Sequence, residues 1–587
     1  MSLSRFLLAM LLSLACSPEQ VGCESRGEES ETEAPTVVPG PSPVTLRGDG
    51  SEIEYTLRFP NPHGHYVEVD AVYPAGGEQL DLMMAVWTPG SYLVREYARH
   101  VENVSASTTD EQPLGVVKVA KNRWRIMAGE GDLPDQVVVR YRVYARELSV
   151  RTNFVDDGIA IINGAATFLT PIDGRETTVD LRVELPESWQ RCVTGLDPVA
   201  EAADEGAEPV DAVSQRRWVA NDYDQLVDSP LVCGDPVVRD MEVGGVAHQL
   251  ASFGGTDLFD HDRASEDVAR LVDAQQKFWG VVPYSHYVFE NILLESGGGL
   301  EHERSTLIMG SAWATRDEET YRNWLSLVSH EFFHTWNVKR LRPQSLRDFD
   351  YEHENMVRDL WIVEGITSYY DDLFVRRTEL MSRDDYLSVL SRNIRRLQDT
   401  PGRLVQSLDE ASYATWIKFY RPDENSRNSA VSYYLKGALV AWLLDAEIRA
   451  ASGTHSLDDV MRTAYERFPQ ETGYTSEEFR ALAAEVAGAD LTEFFRRNVD
   501  GANDMDWNLA LQQFGLRFRV PEEEEDPKGY LGVGVDASSG RLMVDHVPTG
   551  TPAREAGVNV GDELIAMDDR RLPQDISERL ALYRPGE

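Results

Sequence analysis

Residues 329–343 read SHEFFHTWNVKRLRP, with His330 and His334 four positions apart and Glu331 directly after the first. On a helix, side chains at i and i+4 project from one face, one turn apart, so both imidazoles can reach one divalent ion. Glu331 lies about 100° around the helix from His330, where it can approach a water molecule without ligating the metal. Zinc makes such a water acidic enough to attack near neutral pH, and a nearby carboxylate can take and later deliver its proton. The bland alternative is a core helix that happens to contain histidines. Trp324, Leu327, Val328, Phe332 and Trp336 make the helix apolar, and buried imidazoles need polar partners. One shared metal answers that need for both rings.

A catalytic zinc takes a third protein ligand and keeps one open position. The segment DLWIVEGITSYYDDL (359–373) offers Glu364 among Trp361, Ile362, Val363 and Ile366. A lone carboxylate in such surroundings is costly to bury without a partner, and ligation of zinc would explain it. The competing reading is an exposed face or a salt bridge near a helix start. His302 and His353 have no partner at ligand spacing and read as structural or pocket residues.

The 587 residues carry 57 basic and 99 acidic side chains, a formal net charge of −42. Such a surface repels nucleic acid and anionic membranes, which excludes a nucleic-acid partner. The length suggests several domains, and the composition is that of a soluble globular chain. The opening MSLSRFLLAMLLSLAC reads as an export signal over residues 1–16, with Arg5 ahead of the apolar run Phe6–Leu14. Cys16 after Leu14-Ala15 resembles a bacterial lipoprotein cleavage site, although Ser13 stands where an aliphatic residue is preferred. Lipid anchoring through Cys16 to a bacterial membrane and simple secretion are about equally compatible with it. The expected location is periplasmic or at the cell envelope. With Cys16 and Cys23 near the leader, Cys192 and Cys233 remain as either a disulfide or two separate buried thiols.

Residues 17–44, rich in Ser, Glu and Pro, read as a disordered tether. From 45 to 240 the chain alternates apolar and polar residues, as in VEVDAVYP and QVVVRYRVYA, which predicts a β domain. Helical spacing takes over near 260. It recurs over 318–338, 356–377, 383–398, 429–449 and 475–497, with a short β stretch near 287–308. This mainly helical part spans 241–515. An acidic linker (516–527, containing PEEEED) precedes a small module of strands and glycine turns over 528–587.

HEFFHTWNVKRLRP followed by LWIVEGITSYY resembles the glycyl aminopeptidase family of zinc metallopeptidases. These are gluzincins with an N-terminal β domain, a thermolysin-like catalytic domain and a C-terminal PDZ domain. VWTPGSYLVREYARHV (86–101) and the run 143–169 resemble the family's β domain, so the likeness covers most of the chain from about residue 50. The implied fold class is multidomain α+β, with a mainly helical zincin domain holding one Zn²⁺. GGGLEHERST (297–306) resembles the edge strand with which related aminopeptidases hold substrate. By that match Gly298 and Gly299 pair with a peptide backbone, and Glu301 binds its free α-ammonium. SYYLKGALVAWLLDAEI (432–448) resembles the YxKG segment of those enzymes. That makes Tyr434 the phenol that steadies the oxyanion, while an aromatic pair with Tyr433 entering an apolar helix is most often core. YLGV (530–533) resembles a PDZ carboxylate-binding loop, with Leu531, Gly532 and Val533 facing a peptide C-terminus. The chain stops at RPGE, before the last strand such a domain needs, so an incomplete PDZ domain is expected.

The leading expectation is a zinc aminopeptidase acting on peptides, with glycine or alanine preferred at the N-terminus by resemblance. The alternatives are an exported zinc endopeptidase that recruits substrates through the PDZ domain, and a non-catalytic surface binding protein. The sequence sets no oligomeric state.

Overall fold

The computed structural model describes residues 35–38, 45–199, 216–519 and 528–586, and the backbone alone of 14–16. The rest of the expected export signal and tether, with Cys23, lies outside the described residues. So do the side chain of Cys16 and most of the acidic linker. Within the stretch expected as a tether, Thr36–Val37 pairs in parallel with Val281–Val282. The linker's first residues, Leu516–Phe518, form a strand. Among the described residues no helix is long and apolar enough to cross a membrane.

The period-two pattern builds an eleven-stranded sheet in the N-terminal part. At its centre Tyr66–Pro74 pairs antiparallel with Gln136–Tyr144 and Ile53–Arg58. Val67, Val69, Ala71 and Tyr73 alternate inward, facing the same core as Val137, Val139, Tyr141 and Val143. A second sheet joins Phe154–Asp156, Ile159–Ile162, Leu231–Gly234 and Arg191–Val193. Within it Cys192 and Cys233 are register partners, and a disulfide joins them.

The C-terminal half rests on a five-stranded sheet in the order Val237–Val243, Val246–Gly254, His286–Leu293, Ser305–Met309, Gly298–Glu301. His286–Leu293 has parallel neighbours on both sides and is buried almost throughout. Gly298–Glu301 is antiparallel to Ser305–Met309 and forms the sheet's edge. The boundary expected at 240/241 therefore falls inside Val237–Val243. Alternation continues across it, and only registration with Val246–Gly254 shows which sheet the strand joins.

The helices pack as one large core with His261–Trp279, Glu318–Phe333, Ile366–Arg377 and Tyr433–Ser452. Arg383–Gln398 coincides with its predicted span. The span expected over 318–338 stops at Phe333, and the one over 475–497 breaks after Ala487 at Gly488, whose φ is +64°.

Residues 528–586 form a small module with two short antiparallel pairs, Gly534–Asp536 with Met543–His546 and Ala566–Met567 with Arg570–Arg571. Val544, Val547 and Ala553 are its core. It is tied to the helical part through Asn428, which donates to the Val547 carbonyl (3.1 Å) and accepts from the Thr549 amide (2.7 Å).

Candidate metal centre and peptide cleft

The helix Glu318–Phe333 begins where Asp317 accepts the Thr320 amide at 2.8 Å, with Glu318 and Glu319 in the first turn. Tyr321, Trp324, Leu325, Val328 and Phe332 recur at helical spacing and bury one face. His330 and Glu331 stand in its last turn, and His334 caps it.

Trp361–Gly365 is a π-helical turn leading into Ile366–Arg377, and it brings Glu364 over the two imidazoles. His334 Nε2 is 3.1 Å from His330 Nε2 and 3.1 Å from Glu364 Oε2, and the third edge, His330 Nε2 to Glu364 Oε2, is 3.4 Å. Zinc ligands at about 2.0–2.1 Å in tetrahedral array stand about 3.3 Å apart, so the triangle fits one such ion with a fourth position open. The far nitrogens are fixed as well. His330 Nδ1 donates to Asp371 Oδ2 at 3.0 Å, and His334 Nδ1 donates to the Asn337 carbonyl at 2.8 Å. Those bonds leave both Nε2 lone pairs for the ion. Glu301, Glu331 and His334 form a second cluster within 4.8 Å. It holds one imidazole rather than two, which makes it the poorer zinc site.

The Asn337 carbonyl is aimed by strain. Val338 has φ +109°, unusual for a β-branched residue, and its amide bonds to the Leu341 carbonyl at 3.0 Å. The Asn337 side-chain Nδ2 donates to the Ile362 and Val363 carbonyls and to Thr367 Oγ1, which anchors the turn to the helix carrying Glu364.

Glu331 is buried against the edge strand, and a side chain at Gly299 would overlap its carboxylate. Burial pushes its carboxyl up to about 7, opposed by His330 and His334 and reinforced by Glu301 and Glu364. Glu301 ends that strand, 4% exposed, with Gly90 of the β domain against its carboxylate. Trp87, Pro89, Gly90 and Tyr92 wall a space of about 10 Å³ there. A larger depression of about 550 Å³, around Gln344, Phe468 and Glu478, contains none of the residues above.

The structure places Tyr434 beside His330, ring centroids 6.2 Å apart. Tyr433 is fully buried, and its hydroxyl bonds to Thr415 at 3.1 Å. His302 bonds to Asp228 at 3.1 Å, whereas His353 lies exposed against Asp350. Gly298 lies beside Arg151. Leu531, Gly532 and Val533 precede the strand Gly534–Asp536, where the Leu531 carbonyl accepts the Ala553 amide at 2.8 Å. Sequence reasoning did not identify Asp371, Asn337, Tyr92, Gly90 or Arg151. Asp371 alone carried a signal, being two helical turns beyond Glu364.

Two imidazoles and a distant glutamate around one open position, with a buried carboxylate alongside, define a zinc metallopeptidase. The M61 glycyl aminopeptidase model matches residues 323–440 and the peptidase M61 N-terminal domain model matches residues 54–235. Together they cover a little over half of the chain, which belongs to this peptidase family. The chain is similar to the solved aminopeptidase N family protein from Idiomarina loihiensis, at 28% identity and TM-score 0.84, over 91% of this chain and 92% of that one. An M1 zinc metallopeptidase from Deinococcus radiodurans matches at 14% identity and TM-score 0.49, over 78% and 94% of the two chains. No curated protein sequence matches.

Proposed function

We propose that this zinc aminopeptidase releases small N-terminal residues, glycine or alanine, from peptides. The observation that carries the reading is the buried carboxylate of Glu301 at the end of the edge strand, walled by Gly90 and beside the catalytic Glu331. A free α-ammonium satisfies that carboxylate, and the wall behind it stops the chain from extending further. The buried rings of Trp87 and Tyr92 beside Gly90 and Glu301 support a small first side chain.

The peptide then runs antiparallel to Gly298–Glu301, with its scissile carbonyl opposite Gly299 and Glu331. His330, His334 and Glu364 would hold a zinc ion, which would supply Lewis-acid charge to the carbonyl and to water. Glu331 takes the proton from the attacking water and passes it to the leaving amine. Tyr434 donates its phenolic hydrogen bond as charge develops on the carbonyl oxygen. Residues 528–586 are proposed as a PDZ-like module that presents Leu531, Gly532 and Val533 to peptide C-termini. Export to an oxidising compartment is consistent with the Cys192–Cys233 disulfide, with Cys16 as the proposed lipid anchor.

The test compares glycyl, alanyl and leucyl amides with their N-acetylated forms. Free glycyl and alanyl amides are expected to be cleaved, the leucyl amide at least tenfold more slowly, and the blocked forms hardly at all. Equal rates on free and blocked forms would overturn the reading. Glu331→Gln is expected to keep its zinc and lose turnover.

A further inference from the structure

The aminopeptidase reading assigns the amine end of a bound peptide and leaves its other end without a partner. The edge strand supplies an ordered ruler. Glu301 is its last residue, Gly299 lies against Glu331, and Gly298 lies one step further from the amine site. At that step stands Arg151 of the β domain. A side chain on Gly298 would begin 3.6 Å from its Nη1, and its Nη2 reaches the Gly299 carbonyl at 3.4 Å.

Arg151 is half-buried and held from behind, since its own carbonyl accepts the Tyr97 hydroxyl at 2.7 Å. Its Nε is buried without a hydrogen-bond partner, and among the described residues it forms no ion pair. That is unusual in a chain with 42 excess negative charges. Arg95, beside Tyr97, is also half-buried; its Nη1 donates to the Leu93 carbonyl at 3.2 Å, it contacts the Tyr97 hydroxyl, and Glu147 is the carboxylate that acts on its charge. Two partly desolvated guanidiniums that repel one another, with Glu147 acting on Arg95 and no ion pair at Arg151 among the described residues, favour an anion at Arg151. A peptide residue in extended form advances about 3.3 Å, so the residue after the scissile bond ends near Gly298.

We propose that Arg151, backed by the charge of Arg95, binds the C-terminal α-carboxylate of di- and tripeptides, so that this enzyme preferentially finishes short peptides. The inference rests on the aminopeptidase reading and its antiparallel pose. The planar fork of the guanidinium suits bidentate capture of a carboxylate, and an amide end offers it a single neutral oxygen.

The test measures kcat/KM for alanyl-alanine and trialanine against the same peptides with amidated C-termini, in wild type, Arg151→Met and Arg151→Lys. Wild type is expected to favour the free acids by at least about tenfold, Arg151→Met to bring that ratio close to one, and Arg151→Lys to fall between. Calorimetric binding of trialanine and its amide to Glu331→Gln enzyme is expected to show the same preference without turnover. A wild-type ratio near one, or an unchanged ratio in Arg151→Met, overturns the proposal. The wild-type ratio and the binding measurement decide even if a variant folds poorly. Refusal of N-acetylated peptides with an acid-to-amide ratio of one defeats this inference alone, whereas ready cleavage of blocked peptides defeats the aminopeptidase reading itself.

Discussion

Gly365 and Gly437 meet back to back, and a methyl group on either would sit within 2.7 Å of the other's Cα. This contact lets the helix Tyr433–Ser452 press against the turn that carries Glu364. Tyr434, three residues before Gly437, is thereby held over His330. Gly437→Ala is expected to push the helices apart. Overpacking of this kind costs about 1–3 kcal/mol, and misplacing the phenol should lower kcat by at least tenfold. Thermal unfolding and amide hydrolysis measure both. An unchanged melting point and kcat would show that the contact is not needed.

Asp371 holds His330 through Nδ1 and touches no substrate in this account. Asp371→Asn keeps the shape and weakens the acceptor. Zinc affinity is expected to fall about 10–100-fold, as measured by competition with a chelator. Unchanged affinity would mean that the helix alone orients the ring.

How far the site was legible in the sequence follows from its construction. His330, His334 and Glu331 share one helix, where spacing fixes direction, and Glu364 stands out as a carboxylate in an apolar run. The carbonyl of Asn337 was not legible, because its aim depends on the unusual φ of Val338, which no side-chain pattern records. Arg151 was hidden for a different reason. It reaches Gly298 only because two domains dock, and alternation along a strand says nothing about which sheets meet. The same limit misplaced the boundary at Val237–Val243. The texture of the chain separated β from helical halves, but it could not assign a strand to its sheet.

Asp228 of the β domain joins the two halves. Its carboxylate pairs with Lys339 at 2.6 Å and His302 at 3.1 Å and accepts the Glu303 amide at 2.9 Å. Burial pulls its pKa up, but Lys339 and His302 together outweigh this and hold it well below the usual carboxylate range. A depressed folded pKa means that the stabilisation is complete above the unfolded value near 3.9 and is lost as pH falls through the folded value. Wild type should therefore lose stability below about pH 4. Asp228→Asn should be less stable at neutral pH by about 3 kcal/mol and show a shallower loss in acid. Parallel acid profiles for the two proteins would contradict this.

Glu301→Gln keeps the volume of the side chain and removes the charge that holds an α-ammonium. Its kcat/KM on free alanyl amide is expected to fall at least 100-fold, about 3 kcal/mol of lost charge-assisted bonding. Zinc content should stay the same. An equal loss of zinc would instead place Glu301 in the metal site with Glu331 and His334.

The central claim is that one zinc ion sits among His330, His334 and Glu364. Anomalous diffraction at the zinc edge from crystals of the purified protein tests it directly. The account predicts a single peak at about 2.0–2.2 Å from both Nε2 atoms and a Glu364 oxygen, with Glu331 outside bonding distance. A peak bonded to Glu301, Glu331 and His334, or no peak between the two imidazoles after zinc loading, would contradict it.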